Sequence, residues 1–322
     1  MSLSQMQVFN KYFMPAIIET LAQMVQKFNA ASNGAIRLTT DGFEGDFLQE
    51  SFFASIHSAQ RRVDRYAAQA AAAATDLTQQ KHSSVKIAGG FGPIRYEPSQ
   101  MTWLQKPTAE GIEVASRNFA EAMMADQLNT AIAGLVAAIG NQPDATNDVS
   151  AATDPALSYV AMNDAHAKFG DHSGNLIAQV MNGTAYHKLI GANLVNTAQL
   201  FQAQNVRVVD ILGKPVIVTD APALYEAGTP NKLKVLSLAE SAAIVHDGSD
   251  VITNIETSNG QTRIETTMQM DYSFGLGLKG YTWDEANGGK SPSDAEIATG
   301  TNWDKVATSI KHTAGVLTVA AA

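Results

Sequence analysis

The chain has 322 residues, of which 45% are hydrophobic, 16% are charged and none is cysteine, and its net charge is -9. This composition suits one large domain or two smaller ones and excludes a wholly disordered chain. The absence of cysteine excludes disulfides, thiolate catalysis and cysteine-ligated zinc, and the scattered basic residues argue against sequence-specific binding of DNA or RNA. Because no basic start precedes an apolar run and no apolar stretch reaches about 18 residues, we expect no signal peptide, no membrane span and a cytoplasmic chain.

The first hundred or so residues predict two helices and a hairpin. Residues 1–14 show no period, and Pro15 opens an amphipathic helix that Gly34 ends. A second helix is predicted over about residues 46–74, and its arginines are interpreted as a solvated face. Its apolar stripe consists of Leu48, Phe52, Ile56, Ala59, Val63 and Tyr66.

The sequence pattern of residues 82–106 predicts a long hairpin. Val85 and Ile87 indicate its first strand, the sequence GGFGP at 89–93 is typical of a turn, and IRYEPSQMTW indicates an irregular return strand. A two-stranded hairpin cannot cover its own apolar side chains, so a further surface has to cover this one.

The strongest helical pattern runs from Pro107 to about Ile139 and predicts a rod on the order of 50 Å long. Its broad apolar face and its end at Gly140 suggest a structural spine. A loop rich in Asn, Asp, Pro and Ser follows, and Asp154-Pro155 is predicted to cap the next helix.

Residues 150–245 predict a compact α+β region, and the chain then becomes all β. Within the α+β region we expect strands at 176–181, 206–211, 216–220, 232–238 and 242–247 and a short helix at 184–191. Asn259-Gly260, the strongest short-range hairpin signal, should join two long strands, the second covering 262–283. Residues 285–322 are polar and turn-rich apart from a short strand at 316–319.

Two sequences match phosphate-binding motifs, and neither has the required context. Gly275-Leu-Gly277-Leu-Lys-Gly280 reads as G-x-G-x-x-G, but its glycines alternate with apolar residues inside a strand and no helix follows. We expect these glycines to admit another backbone or a side chain on one sheet face and to bind no nucleotide. Gly289-Lys290-Ser291 resembles the end of a phosphate loop, but Asp284 occupies the position of its first glycine and would repel phosphate.

No other chemistry is indicated. His166 and His172 are six positions apart without an obvious carboxylate partner, so metal binding is disfavoured. The sequence has no G-x-S-x-G elbow and no evident acid/base pair. We therefore predict no catalytic residue, no metal ligand and no cofactor.

The order of these elements resembles the major capsid protein of tailed bacteriophages, which has the HK97-like fold. VKIAGGFGPIRYEPSQMTWL is similar to the extended loop of that family, and the helix from Pro107 is similar to its spine. LIAQVMNGTAYHKLIG and VRVVDILGKPVIVTDAP resemble parts of its axial domain, TRIETTMQMDYSFGLGLKGYTW resembles its long return strand, and SPSDAEIATGTNWDKVATSIKHTAGV resembles phage coat tails.

The resemblance implies an α+β HK97-like capsid fold in five parts. These parts are an N-terminal arm and helix (1–34), an extended loop region with its preceding helix (35–106), the spine helix and loop of the peripheral domain (107–149), the axial domain (150–245), and the return strands with the C-terminal tail (246–322). The implied protein is not an enzyme but a virion subunit that assembles in the host cytoplasm, as pentamers and hexamers, into an icosahedral shell around double-stranded DNA. Separate scaffolding, portal and decoration proteins are its implied partners. Some members of the family form a Lys-Asn cross-link. Lys81, Lys86 and Lys106 flank the loop here, but no motif marks any of them as the lysine of such a cross-link.

On this interpretation a neighbouring subunit covers the hairpin, and six residues are expected to make that contact: Ile87, Phe91, Ile94, Tyr96, Met101 and Trp103. Two alternatives stay open. An encapsulin-type nanocompartment shell shares the fold and packages cargo enzymes, and a soluble α+β enzyme would use residues 150–245 as its catalytic domain.

Overall fold

The computed structural model describes residues 32–42, 45–53, 60–68, 79–96, 109–197, 214–248, 250–259 and 265–322, with a few isolated positions between 15 and 78 and residue 262. The described strands are β1 (Ile36–Gly42), β2 (Phe47–Phe53), β3 (Gln79–Tyr96), β4 (Thr146–Asp148), β5 (Leu176–Met181), β6 (Val216–Val218), β7 (Tyr225–Glu226), β8 (Lys232–Ala239), β9 (Ala243–Asp247), β10 (Ile252–Ser258), β11 (Glu265–Leu278), β12 (Tyr281–Trp283), β13 (Trp303–Lys305) and β14 (Gly315–Ala321). The described helices are α1 (Ala109–Gly140), α2 (Tyr159–Ala167), α3 (Gly183–Thr197) and α4 (Asp294–Ile297).

The first sheet is organised around β11, which is hydrogen-bonded along both edges. On one edge β11 pairs with β10 and then with β9, and on the other edge it pairs with β3 and then with β12. β1 extends this sheet parallel to β9, β13 extends it beyond β12, and β2 pairs with the first part of β3. From Met270 onward the even-numbered residues of β11 point to the core, and Phe274, Leu276 and Leu278 are almost fully buried, as a period of two requires.

The second sheet has the strand order β4-β14-β8-β5-β6, with β7 on the end of β8. One face packs on the core through residues such as Val180, Leu236 and Leu317, which belong to the same cluster as the apolar face of α1. The other face meets α2 and α3 through a smaller cluster that includes Met162, Leu189 and Val235. Strand β14, near the C-terminal end of the chain, therefore lies inside this sheet between β4 and β8.

Helix α1 is the spine that the sequence predicts. It spans 32 residues, about 48 Å, and buries Met123, Ile132, Leu135 and Ile139 against both sheets. Residues Ser116–Gly140 are long and apolar enough to cross a membrane by composition alone. More than half of the apolar window in this stretch is buried inside the protein, and a core helix has this character as well.

The helix predicted over residues 46–74 is wrong wherever the structure describes that range. Residues 47–53 form β2, which pairs with β3 from Phe47 opposite Val85 to Phe53 opposite Gln79. Residues 60–68 contain no helix, and Val63 and Tyr66 of the predicted apolar stripe are 68% and 92% exposed. The four-residue spacing of Leu48 and Phe52 favours a helix locally, but the hydrogen bonds offered by β3 outweigh this local preference.

The turn predicted at GGFGP is also wrong. β3 runs through residues 89–93 without reversing, and its register with β11 shifts by one residue between Met268 and Met270. This is a β-bulge, in which the extra residue on β3 is accommodated beside Gly92 at φ 112°. The hairpin in this part of the chain is instead made by β2 and β3, and residues 97–106 lie outside the described residues.

Several smaller expectations are settled by the structure. The strands at 176–181, 232–238 and 316–319 and the helix beginning near 184 are confirmed. Helix α2 is capped by the hydroxyl of Ser158, which accepts from the Ala161 N–H at 3.2 Å, and not by Asp154. β10 and β11 form the predicted hairpin, but Ser258 pairs with Glu265, so the loop is longer than Asn259-Gly260. The expected helix at 15–33 and the expected strand at 206–211 lie largely or wholly outside the described residues.

Candidate functional site

The first phosphate motif is part of a sheet and its turn. Gly275 and Gly277 lie in β11, and Gly280, at φ 79°, makes the turn from β11 into β12. A Cβ at Gly277 would lie 2.5 Å from the Ser84 hydroxyl of β3, so this glycine admits a neighbouring side chain, as predicted. The long strand ends at Leu278 and not at residue 283, because Gly280 reverses the chain.

The second motif covers a tryptophan. The Trp283 indole donates a hydrogen bond to the Gly289 carbonyl at 2.9 Å, and a Cβ at Gly288 would lie 2.2 Å from the indole ring. Trp283 packs edge-on against Trp303, whose indole donates to the Ile297 carbonyl at 3.0 Å. The residues after β12 are therefore a lid over a buried tryptophan pair, and Lys290 lies 3.8 Å from Asp46.

The two histidines considered as metal ligands have separate environments. His166 lies on the buried face of α2, where its Nε2 lies 2.8 Å from the Ser237 hydroxyl. Burial, with a smaller contribution from the Lys214 charge, lowers the pKa of His166 to about 4. The His172 ring packs edge-on against His312 with centroids 5.5 Å apart. No group of three or more potential metal ligands occurs in the described parts of the chain.

Two grooves lie beside α1. The first, near its C-terminal end, contains Asp148 and Glu226, which pair with Lys232 and Lys234 at 3.6 and 2.8 Å. The second is a cleft of about 460 Å³ between the middle of α1, the turn at residues 222–224 and α4. We call this second groove the acidic cleft, because it holds the carboxylates of Asp126 and Asp294 beside an apolar wall that includes Ala133, Ala223 and Ile297.

The Asp126 carboxylate of the acidic cleft accepts a short hydrogen bond. The Tyr272 hydroxyl donates to the Asp126 carboxylate at 2.7 Å. Burial raises the pKa of Asp126, repulsion from Asp294 adds to this, and the Tyr272 hydrogen bond opposes it. Burial and the same carboxylates raise the pKa of Tyr272. The cleft thus holds like charges without a basic side chain among its lining residues.

Residues 60–68 form an exposed segment within the connection from β2 to β3. Every residue from Gln60 to Ala68 is exposed. The segment carries three arginines in five positions, and the Tyr66 N–H is hydrogen-bonded to Asp64. Sequence reasoning assigned these residues to a helix and missed the segment, although the density of arginines in an acidic chain is a signal for it.

The six residues expected at a subunit contact separate into four groups. Ile87 is 5% exposed and belongs to the core of its own chain. Phe91 is half-buried, with its ring centroid 6.3 Å from that of Phe119 and 5.6 Å from that of Tyr272. Ile94 is 47% exposed. The side chain of Tyr96 and all of Met101 and Trp103 lie outside what the structure describes.

Comparison with known proteins supplies the context for this geometry. A family model described as major capsid protein 13-like matches residues 5–317. The chain belongs to that family. Its role in the virion is structural, as a major capsid protein whose copies form the shell.

Solved phage structures agree with the capsid protein in fold. The capsid asymmetric unit of cyanophage Pam1 aligns with a TM-score of 0.53 and 13% identity over 89% of this chain and 88% of that chain. A chain from Mycobacterium phage Bobi aligns with a TM-score of 0.50 and 11% identity over 88% of each chain. Among curated protein sequences, none matches the capsid protein. The HK97-like fold expected from the sequence is confirmed.

Proposed function

We propose that this capsid protein assembles as pentamers and hexamers into an icosahedral shell that encloses double-stranded DNA. Assembly takes place in the cytoplasm of the host cell, and the subunit performs no catalysis. The observation that carries the proposal is the match of the capsid family over residues 5–317.

We propose further that the two sheets correspond to the two domains of the fold. The first sheet with α1 would form the peripheral domain, and the second sheet with α2 and α3 the axial domain. Strand β14 lies between β4 and β8, so the C-terminal residues would contribute to the axial domain. The division of the chain near residues 34, 106, 149 and 245 is part of the same proposal, except that β14, within the part from 246 to 322, would belong to the axial domain.

The proposed partners are further copies of the same chain and separate scaffolding, portal and decoration proteins. Exposed apolar side chains support contacts between copies, since a capsid subunit buries such surface only on assembly. Among the described residues these side chains include Ile94 and Ile252, at 47% and 64% exposure, on β3 and β10. The subunit contact proposed for the hairpin residues is thereby centred on Ile94 and not on Ile87.

Electron microscopy of the purified chain, alone and with a co-expressed scaffolding protein, tests this function. We expect closed shells with pentameric and hexameric units, and nucleic acid inside those isolated from infected cells. Shells filled with a protein cargo would indicate a nanocompartment instead. Compact monomers under every condition would contradict the proposal and favour the soluble enzyme.

A further inference from the structure

A pair of histidines joins two turns beside the second sheet. His172 lies in the turn at residues 170–175, which leads into β5, and His312 lies in the turn at residues 310–312, shortly before β14. The two turns meet because β5 and β14 both begin beside the end of β8. The preceding residues, Asp171 and Lys311, form an ion pair. Two neighbouring contacts therefore hold the turns together, although the turns are far apart in the chain.

The spacing of the two imidazole rings suits a shared metal ion. Their centroids lie 5.5 Å apart at an interplanar angle of 80°. Zinc binds imidazole nitrogen at about 2.0–2.1 Å in tetrahedral geometry, which places the centroids of two bound rings roughly 5 Å apart. The rings now stand edge to face, so one ring has to turn to direct its nitrogen at the ion. His312 is exposed and the His172 side chain is 35% exposed, so both are accessible from solvent.

The surroundings of His172 favour one of its nitrogens as a ligand. Its Nδ1 lies 3.5 Å from the side-chain amide of Asn175, and its Nε2 lies 4.0 Å from the Asp171 carboxylate. A contact at one ring nitrogen orients an imidazole and leaves the other nitrogen for a metal. Asp171 is itself paired with Lys311, and no group of three potential ligands occurs among the described residues. The protein therefore supplies two imidazoles, and water would complete the coordination.

We propose that His172 and His312 of one subunit bind a divalent transition-metal ion, which cross-links the turns that precede β5 and β14. Imidazole nitrogen suits zinc, copper and nickel, whereas magnesium and calcium prefer oxygen ligands. The two histidines are close together only in the folded chain, so the ion would stabilise the fold by mass action. Sequence reasoning predicts no metal ligand, because only the packing of the two turns brings these rings together.

Calorimetric titration of the purified, untagged capsid protein with Zn²⁺, and in parallel with Mg²⁺, tests the site. We expect one Zn²⁺ per subunit and no binding of Mg²⁺ by the histidine pair. His172→Gln and His312→Gln should each weaken Zn²⁺ binding by at least about tenfold, since loss of even an outer partner of a metal ligand has an effect of that size. His187→Gln is the matched control and should bind Zn²⁺ as the wild type does. His187 is an exposed histidine of α3 whose ring lies beside Tyr186.

Hydrogen exchange locates the ion independently of its affinity. Saturating Zn²⁺ should slow amide exchange in residues 168–176 and 309–316, the two stretches that the ion would join. It should also raise the melting temperature by roughly 3 °C. Neither change should occur in His172→Gln or His312→Gln. Both variants should melt near the wild-type temperature without metal, because the replaced rings are partly or largely exposed.

Unchanged Zn²⁺ affinity in both histidine variants would overturn the proposal, and so would protection confined to other segments. Equal affinities for Zn²⁺ and Mg²⁺ would also contradict it, because oxygen ligands would then hold the ion. If a variant unfolds, electron paramagnetic resonance of the wild-type chain with one equivalent of Cu²⁺ decides instead. Two coordinated nitrogens support the pair, and none would exclude it. The site lies within one subunit, so the titration decides this proposal even if the chain forms no shells and the proposed function fails.

Discussion

The ionised side chain of Asp126 lowers the stability of the free subunit. Burial and Asp294 raise its pKa, and the Tyr272 hydrogen bond only partly offsets them. An aspartate whose folded pKa is raised stabilises the fold below the ordinary value of 3.8, and this contribution is lost as the pH rises through the folded pKa. At neutral pH the ionised carboxylate is therefore a net destabilising group.

Asp126→Asn should raise the free energy of unfolding of free subunits at pH 7 and have little effect near pH 3. After discounting for partial exposure to solvent, the gain should be below about 1 kcal/mol. Denaturant titrations at both pH values measure it, and Tyr272→Phe is the control, which should lower stability by about 1 kcal/mol through the lost hydrogen bond. A loss of stability at pH 7 from Asp126→Asn would contradict this account.

His166 should make the subunit sensitive to acid. Burial lowers its pKa from 6.5 to about 4, so its contribution is fully present above pH 6.5. It is lost as the pH falls toward 4, because the unfolded chain takes up the proton first. The expected loss is up to about 3 kcal/mol. Unfolding free energies between pH 7 and pH 4 measure it, and His166→Gln should remove this dependence; an unchanged slope would assign it to other groups.

Among the elements, those with a strong period could be predicted from sequence. α1, β8 and β11 carry an apolar repeat, β5 is a short and mostly apolar run, and packing agrees with these local preferences. β2 could not be predicted, because its strand conformation depends on pairing with β3. The extended conformation of GGFGP could not be predicted either, because its glycines are typical of a turn but lie at a β-bulge here. The acidic cleft was equally hidden, since Asp126 and Asp294 are far apart in the chain and only the packing of α4 on α1 unites them.

The tryptophan pair should be the main anchor of the segment after β12. Trp303 is fully buried against Trp283, and replacing a buried tryptophan with alanine typically costs about 3–5 kcal/mol. Trp303→Ala should therefore lower the melting temperature of free subunits strongly. Trp303→Phe retains a ring and loses the hydrogen bond to Ile297, so it should cost less. Equal losses from both variants would mean that the hydrogen bond, and not the packing, dominates.

On β3, neighbouring residues should affect different properties. Phe91→Ala removes a ring that packs on Phe119 and Tyr272 and should destabilise the free subunit by about 2–4 kcal/mol. Ile94→Ala changes a half-exposed side chain and should leave the free subunit nearly unchanged while weakening shells. Calorimetry of subunits and of shells separates the two effects. A normal subunit with Phe91→Ala would place that ring at a subunit contact after all.

At the scale of the whole molecule, both sheets share one core. A single cluster of buried side chains contains residues of α1, β3, β5, β8, β11 and β14, so the two sheets should unfold together and not in sequence. The Gly300 backbone packs so closely on the end of α1 that a Cβ there would lie 2.7 Å from the Ala137 carbonyl. The subunit should therefore unfold as one cooperative unit, with the exposed residues 60–68 outside its core.

The pairing of β11 along both edges has a mechanical consequence. Its hydrogen bonds to β3 extend from Thr266 to Leu276 and run perpendicular to the strands. Force applied at opposite ends of the strand pair would load all these hydrogen bonds at once in shear. Force applied to both strands at the same end would break the hydrogen bonds one after another. In single-molecule pulling, handles at Lys86→Cys and Glu265→Cys, at opposite ends of the pair, should require a higher rupture force than handles at Arg95→Cys and Glu265→Cys, at the same end. Equal rupture forces would show that this strand does not stiffen the subunit against stretching.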